Sequence, residues 1–356
     1  MPRRVHLHVG APKSGTTYLQ SRLHANRREL RRHGVHHPAG TLGDPRLQYW
    51  AALEVTGTDH GVDPRRVDGA WERVLRQVRR SRGDVVLSHE VLAKATPEQA
   101  ARVRADLAAT GAELRVVLTS RDLARELTSG WQETLKFGSR LTLRAYLDRA
   151  RAGRSAFMAA FDPTCVLTAW AAGLPAAQVH VVTAPPSGGA GGLLWARFLD
   201  ALEIDPAWAP RDADRANTSV GVPEAQVLRR LNRRLGEDAR RGGALSPLVD
   251  GIVVGDALAP RRSPAIVLGP EDHPWVAERS ESWVACLRER GVTVHGDLDD
   301  LRPAEPPDDW TDPDVLLPRQ VVAAALDTVE VLLAEVRDRP VPWHERLRRA
   351  LARVRD

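Results

Sequence analysis

The residues best suited to chemistry stand near the start of the chain, where residues 5–20 read VHLHVGAPKSGTTYLQ. Apolar residues alternate with two histidines from position 5 to position 9, which is the period-two pattern of a strand. Gly10 and Gly15 interrupt that pattern, and from Thr16 apolar residues recur at helical spacing. A strand, a glycine-containing loop and a helix in this order direct backbone N–H groups and the positive end of the helix dipole at one point, where an anion binds. The stretch therefore predicts a phosphate-binding loop.

The loop also carries side chains that suit a phosphate ligand. Lys13 adds a mobile positive charge, and Thr16 and Thr17 add hydroxyl donors. The sequence has 51 lysines and arginines, yet only Lys13, Lys94 and Lys136 are lysines. A flexible ammonium follows charge that moves between two oxygens more freely than a planar guanidinium does. The lysine in this loop is therefore consistent with group-transfer chemistry.

The position of the lysine distinguishes this loop from that of nucleoside triphosphatases. Those loops place lysine directly after the second glycine, whereas here Lys13 lies two residues before Gly15. The stretch PKSGTTYL resembles the 5′-phosphosulfate loop of sulfotransferases that use 3′-phosphoadenosine 5′-phosphosulfate (PAPS). The residues that match that motif are Pro12, Lys13, Ser14, Gly15, Thr16 and Thr17. The resemblance implies PAPS as donor and 3′-phosphoadenosine 5′-phosphate as product, and the alternative is a generic phosphate loop or a glycine turn without a ligand.

A second stretch, RDLARELTS over residues 121–129, resembles the other half of the donor site in the same family. There, an arginine at a strand end and a serine eight residues later bind the 3′-phosphate of PAPS, and Arg121 and Ser129 have this spacing. A guanidinium fork fits a phosphate bidentately. Without the loop, the pair would equally suit a helix-capping arginine and a surface serine.

The chain also departs from the family pattern. Cytosolic animal members carry a later R-K-G-x-x-G-D-W-K segment that closes over the nucleotide, and no stretch here matches it. Arg215, Asn217 and Ser219 are possible substitutes, although an ordinary polar loop is the preferred interpretation. Tyr18 stands where those members place a tryptophan near the adenine. Its ring could stack on the base, or it could pack the helix on the sheet.

Sulfuryl transfer to a hydroxyl needs a base near the acceptor, and the sequence offers His89 and Glu90. Both follow the apolar run DVVLS over 84–88, and parallel sheets bind ligands at the carboxyl ends of their strands. By resemblance, His89 corresponds to the histidine of the K-T-H segment in cytosolic members, while other branches use a glutamate. The alternative is that both residues cap the following turn. If neither is the base, the next candidates are Glu29, His36 and His37.

Three further charged groups suggest other functions less strongly. The histidines at 33, 36 and 37 lack a matching set of acids or thiols, so no metal site is expected. The acidic run at 297–300 lacks the spacing of a calcium loop and suits a turn with helix-capping acids. The basic tail at 344–355 is expected to be an exposed amphipathic helix rather than a membrane or nucleic-acid contact.

The composition is that of an ordinary globular protein. The 356 residues carry a formal charge of +5, with 43% hydrophobic residues and two distant cysteines, so no nucleic-acid partner, disulfide framework or zinc site is indicated. The first apolar run is too short for a signal peptide, and no window approaches a membrane span. A cytoplasmic protein is expected.

The order of elements indicates an α/β fold. Strand patterns at 5–9, 84–88, 114–119 and 179–183 alternate with helical patterns, which predicts a three-layer P-loop-like fold with a central parallel sheet and helices on both faces. Residues 40–68 are expected to be an irregular excursion. Residues 1–205 are the predicted PAPS-binding core. Residues 206–356 are a mostly helical C-terminal elaboration of the same domain, with helices at 224–241, 275–290 and 319–336 and a Pro/Gly-rich stretch to 274.

These patterns together lead to one functional hypothesis with two alternatives. The hypothesis is a PAPS-dependent sulfotransferase that moves the sulfuryl group in line to an acceptor hydroxyl or, second, an amine. Lys13 would stabilise the transferring group, and His89 or Glu90 would be the base. The acceptor class, whether small molecule, carbohydrate or lipid, stays open. The alternatives are a P-loop small-molecule kinase and a nucleotide-binding module that has lost catalysis.

Overall fold

A six-stranded, all-parallel sheet with the order β2-β3-β1-β4-β5-β6 forms the centre of the fold. Its strands are β1 Arg4–His8, β2 Val35–His36, β3 Asp84–Ser88, β4 Glu113–Ser120, β5 Val179–Thr183 and β6 Thr293–His295. The computed structural model describes residues 3–58, 61–155, 157–186, 190–212, 219–235, 248–315 and 317–338. The prediction of an α/β fold with a central parallel sheet and flanking helices is confirmed.

Helices connect the strands along the chain. They are α1 Thr16–Arg32, α2 Leu47–Thr56, α3 Pro64–Val67, α4 Ala70–Arg80, α5 Pro97–Ala108, α6 Leu123–Lys136, α7 Leu143–Arg151, α8 Met158–Phe161, α9 Pro163–Trp170, α10 Ala190–Ala201 and α11 Val222–Leu235. Beyond them lie a π-helical segment, Leu248–Leu258, and the helices His273–Glu289 and Pro318–Asp338. None of these described helices is long and apolar enough to cross a membrane.

The sheet is buried on both faces, as a parallel sheet with helical crossovers requires. On β3, Val85 and Leu87 pack in the layer of α2, α4, α5 and α9, while Val86 packs with α1 and α10. His6 and His8 of β1 alternate with the apolar residues of the first layer and are 1% and 0% exposed. Burial disfavours the charged imidazolium and lowers the pKa of both histidines to about 3. These histidines are therefore neutral core residues.

Several elements differ from those predicted from the sequence. Residues 40–68, expected to be irregular, contain α2, whose apolar residues are not confined to one face and so show no clear helical period. The strands β2 and β6 were not predicted, because runs of two and three residues carry no periodic signal. Part of the expected Pro/Gly-rich stretch is the π-helical segment. Positions 236–241 of the predicted helix at 224–241 and the predicted tail helix at 344–355 lie outside the described residues.

The chain divides into two compact units. The first comprises Met1–Glu133, Leu143–Asn217 and Val267–Asp312, and it holds the whole sheet. The second comprises Thr134–Thr142, Thr218–Ile266 and Pro313–Asp356. Inside the second unit, the buried carboxylate of Glu224 accepts hydrogen bonds from Arg261 and Ser263 at 2.7 Å each. The boundary predicted at residue 205 stays a prediction.

Candidate active site

The loop between β1 and α1 has the geometry of an anion site. Gly15 precedes α1 with a φ of 95°, a left-handed conformation that glycine adopts without strain. A Cβ at this position would lie 2.5 Å from Leu194 Cδ2, so any side chain here requires Leu194 to move. The first turn of α1 has no acidic residue and no side-chain cap. No carboxylate of the helix's own first turn therefore offsets its positive end.

The loop is hydrogen-bonded to the carboxyl end of β4. Ala11 donates its backbone N–H to the carbonyl oxygen of Thr119 at 2.8 Å. The hydroxyl of Ser14 contacts the carbonyl oxygen of Ala11 and the hydroxyl of Thr119, both at 2.7 Å. A Cβ on Gly10 would lie 2.1 Å from Thr119 Oγ1, which explains the glycine at that position. The loop residues are thus held by the strand that precedes Arg121.

Lys13 reaches the helix that follows β4. Its Nζ lies 3.1 Å from Glu133 Oε2, and the lysine backbone has a φ of 71°. Glu133 lies one helical turn after Ser129 on α6, so both residues lie on one face of that helix. The loop lysine and the predicted 3′-phosphate pair therefore converge on α6.

The structure brings together Arg121 and Ser129, the pair that the sequence selected. Arg121 follows β4 directly and donates through Nη2 to Ser129 Oγ at 2.9 Å and to the carbonyl oxygen of Arg125 at 2.6 Å. Burial lowers the pKa of the Arg121 guanidinium. Asp122, only 3% exposed, accepts from the backbone N–H of Arg125 at 2.9 Å. Arg121 is consequently held in place at the start of α6.

A buried carboxyl beside this pair was missed from the sequence. Glu126 on α6 is 0% exposed. Its burial raises the pKa well above the ordinary value, and the charge of Arg121 opposes that shift only in part. Its spacing of three residues from Ser129 on one helix face was the available signal.

Tyr18 lies within a cluster of aromatic and cationic side chains. Its hydroxyl accepts a hydrogen bond from Arg22 Nη1 at 2.8 Å. The Arg22 guanidinium stands 4.7 Å from the ring centre of Trp195 on α10. Tyr18 was predicted from the sequence, whereas its neighbours Arg22 and Trp195 were not. Trp195 belongs to a helix far along the chain. Whether Tyr18 contacts an adenine stays a prediction.

His89 and Glu90 emerge from the carboxyl end of β3, as predicted. His89 Nδ1 accepts the backbone N–H of Val91 at 3.2 Å, so the residue caps the 3₁₀ turn Glu90–Lys94. Burial lowers the pKa of His89, although Glu90 opposes the shift. Glu90 Oε2 accepts from Gln20 Nε2 at 2.7 Å and lies 3.6 Å from His89 Nδ1. Burial raises the pKa of Glu90, but neighbouring charges and hydrogen bonds, with His89 first and Gln20 second, outweigh burial and lower it.

A cavity of about 470 Å³ opens beside His89. Its walls include Thr17 and Gln20 of α1 and Tyr49 of α2, whose ring stacks on the His89 imidazole at 5.1 Å. The volume is in the range of small-molecule sites. The cavity therefore connects the loop helix with His89, and Glu90 adjoins it through the hydrogen bond with the lining residue Gln20.

Of the remaining candidates, His37 lines the same cavity as His89. His33 stacks on Trp208 at 4.6 Å, His36 lies 3.3 Å from the side chain of Gln77, and His37 lies 3.0 Å from the carbonyl oxygen of Val86. The described part of the chain contains no group of three or more His, Cys, Asp or Glu residues that could hold a metal ion. The other candidates are accounted for as follows: Glu29 pairs with Arg32, Asp297 caps the backbone N–H of Asp299, Asp300 accepts from Arg197, Ser219 is exposed, and Arg215 and Asn217 lie outside the described residues.

Comparison with protein-family models, with curated proteins and with solved structures finds no match to this chain. Its function is therefore inferred from the geometry of the site.

Proposed function

We propose that this protein is a PAPS-dependent sulfotransferase. The observation that carries the proposal is the hydrogen bond of 2.9 Å between Arg121 and Ser129, at the end of the strand that holds the phosphate loop. Two distant motifs selected from the sequence thus meet on adjacent strands of one sheet. A generic phosphate loop has no need of this second pair.

The loop residues fit the 5′ end of such a donor. The unneutralised N-terminus of α1 and the hydroxyls of Thr16 and Thr17 suit the 5′-phosphate, and Arg121 and Ser129 suit the 3′-phosphate. PAPS, when bound, supplies the sulfuryl group and a phosphate leaving group. Lys13 would move from Glu133 to the oxygens on which charge develops. Such an interaction stabilises the transition state more than the ground state.

The contacts of the two candidate bases favour Glu90. A neutral His89 whose Nδ1 accepts the N–H of Val91 carries its proton on Nε2, so neither nitrogen is available to accept the acceptor's proton. The carboxylate of Glu90 accepts a hydrogen bond from Gln20, which favours its ionised form. Glu90 would take the proton of an acceptor hydroxyl bound in the cavity, while His89 and Tyr49 form its wall. The acceptor is a small molecule, a carbohydrate or a lipid headgroup, and we place the reaction in the cytoplasm.

Ligand-induced thermal stabilisation tests the proposal. A ligand that binds only the folded state raises the melting temperature by mass action, so 3′-phosphoadenosine 5′-phosphate should stabilise the protein without magnesium. Adenosine 5′-phosphate, which lacks the 3′-phosphate, is the matched ligand control and should stabilise it less. The Ser129→Ala variant should lower the response to the bisphosphate while leaving the response to the monophosphate unchanged.

The same measurement separates the alternatives. Stabilisation by ATP that requires magnesium, with no response to the bisphosphate, would indicate the kinase. Binding of the bisphosphate without sulfuryl transfer to any compound of an acceptor screen would indicate a catalytically inactive binding module.

A further inference from the structure

A chain of buried side-chain hydrogen bonds crosses the carboxyl ends of β3, β1 and β4. Ser88 Oγ lies 2.7 Å from His8 Nδ1, and His8 Nε2 lies 3.0 Å from Thr119 Oγ1. Thr119 Oγ1 lies 2.7 Å from Ser14 Oγ, which lies 2.7 Å from the carbonyl oxygen of Ala11. All four side chains are between 0% and 3% exposed, so water does not compete for these bonds.

The donors and acceptors in this chain permit one order. The carbonyl oxygen of Ala11 only accepts, so the Ser14 hydroxyl donates to it, and the Thr119 hydroxyl then donates to Ser14. Thr119 Oγ1 in turn accepts from His8, which places the imidazole proton on Nε2. The unprotonated Nδ1 accepts the hydroxyl of Ser88. A single neutral tautomer of His8 therefore satisfies every group.

A charged His8 would break this order. A second proton on Nδ1 would meet the Ser88 hydroxyl and force its proton to find another acceptor. Burial acts in the same direction and lowers the pKa of His8 to about 3. His8 is thus a fixed donor through Nε2 and a fixed acceptor through Nδ1, and it transfers no proton in the reaction.

We propose that His8 is a positioning residue for the active site. Through Thr119 it fixes Ser14 in the phosphate loop, and through Ser88 it fixes the strand end from which the candidate bases emerge. This inference rests on the proposed function and extends it to residues outside both motifs. Its physical basis is that a buried network with all partners satisfied selects one geometry, whereas a partly satisfied network does not.

The Thr119→Val and Thr119→Ser variants test the connection to the loop. Valine keeps the shape of threonine but removes the hydroxyl, which leaves the His8 Nε2–H without its acceptor and Ser14 Oγ without its donor. We expect the dissociation constant of 3′-phosphoadenosine 5′-phosphate to rise about tenfold in Thr119→Val, in line with an unpaired buried donor. Thr119→Ser keeps the hydroxyl and should stay within about twofold of the wild type. Circular dichroism of both variants establishes that they fold.

Two substitutions of His8 separate its two arms. The His8→Gln amide reaches toward Thr119 and donates as Nε2 does, whereas the His8→Asn carbonyl stands nearer to Nδ1 and accepts from Ser88. We expect His8→Gln to retain bisphosphate affinity and His8→Asn to lose about tenfold. A role confined to packing would instead lower affinity and stability in parallel in both variants. Histidine ¹⁵N spectra should show the Nε2–H tautomer of His8 in the wild-type protein.

The outcomes distinguish the two proposals. If the wild type binds the bisphosphate and Thr119→Val binds it as well as Thr119→Ser does, the role of His8 is overturned and the sulfotransferase proposal stands. An Nδ1–H tautomer of His8 overturns the role of His8 in the same way. If the wild type does not bind the bisphosphate, the proposed function fails, and the positioning of a donor by His8 fails with it.

Discussion

At the scale of single residues, paired substitutions test the roles proposed for His89 and Glu90. Glu90→Gln keeps the shape and the hydrogen bond with Gln20 but cannot accept a proton. Loss of a general base slows turnover by about 10²–10⁴-fold, and bisphosphate affinity should be unchanged. His89→Asn keeps an acceptor for the N–H of Val91 and should lose less than about tenfold. The measurement is release of 3′-phosphoadenosine 5′-phosphate with an acceptor identified by screening.

The opposite result for the two variants would contradict Glu90 as the base. If Glu90→Gln keeps most of its turnover while His89→Asn loses it, His89 is the base, and the cap on Val91 must open during the reaction.

The site residues that could be predicted from the sequence lie close to one another along the chain within each motif. Arg121 and Ser129 were found because one strand end and one helix carry both, eight positions apart. The partners of His8 are separated from it by 80 and 111 positions, so no spacing could reveal them. Glu126 resembles a surface glutamate in the sequence, and only the packing of α6 shows its burial.

At the scale of elements, the entry of the loop into α1 depends on Gly15. Gly15→Ala would place a Cβ in left-handed backbone and 2.5 Å from Leu194. The backbone alone costs about 1–2 kcal/mol, and the contact adds to that cost. We expect a lower free energy of unfolding and a loss of bisphosphate binding, measured by urea unfolding and calorimetry.

The control for this prediction is Gly57→Ala. Gly57 has a φ of 64° at the end of α2, and no atom lies within 4 Å of its Cβ position. This variant carries the backbone strain alone, so it should lose stability but bind the bisphosphate normally. Equal effects of the two substitutions on binding would show that the close approach to Leu194 is unimportant.

Elements were predictable where their pattern was long and periodic. The four predicted strands are β1, β3, β4 and β5, whose apolar runs are bounded by turns. The helix α2 was not predicted from the sequence. It buries Gln48 as well as Leu53 and Val55, so no polar face defines a helical period.

At the scale of the whole molecule, neutral buried histidines set the response to acid. Burial lowers the pKa of His6 and His8 to about 3 and that of His37 to about 4. Below the ordinary value of about 6.5 the unfolded chain binds protons that the folded chain refuses, so stability falls as pH falls. Between pH 7 and 5.5 these three histidines together remove about 4 kcal/mol from the free energy of unfolding.

Urea unfolding at several pH values in this interval measures the loss. His6→Gln should reduce the slope by about a quarter at most, since burial also lowers the pKa of a fourth histidine, His180, to about 4. A free energy of unfolding that is constant from pH 7 to 5.5 contradicts the prediction.

In the ion pair between Lys13 and Glu133, the carboxylate competes with any anionic ligand for the lysine ammonium. Any anion that approaches the loop must first draw the ammonium away from a carboxylate 3.1 Å distant. A singly charged anion would gain less from this exchange than a ligand that also engages the other contacts of the site. Abundant inorganic anions in the cell would thereby be held below the threshold for occupancy, and the lysine would be released chiefly to a ligand that binds at both ends.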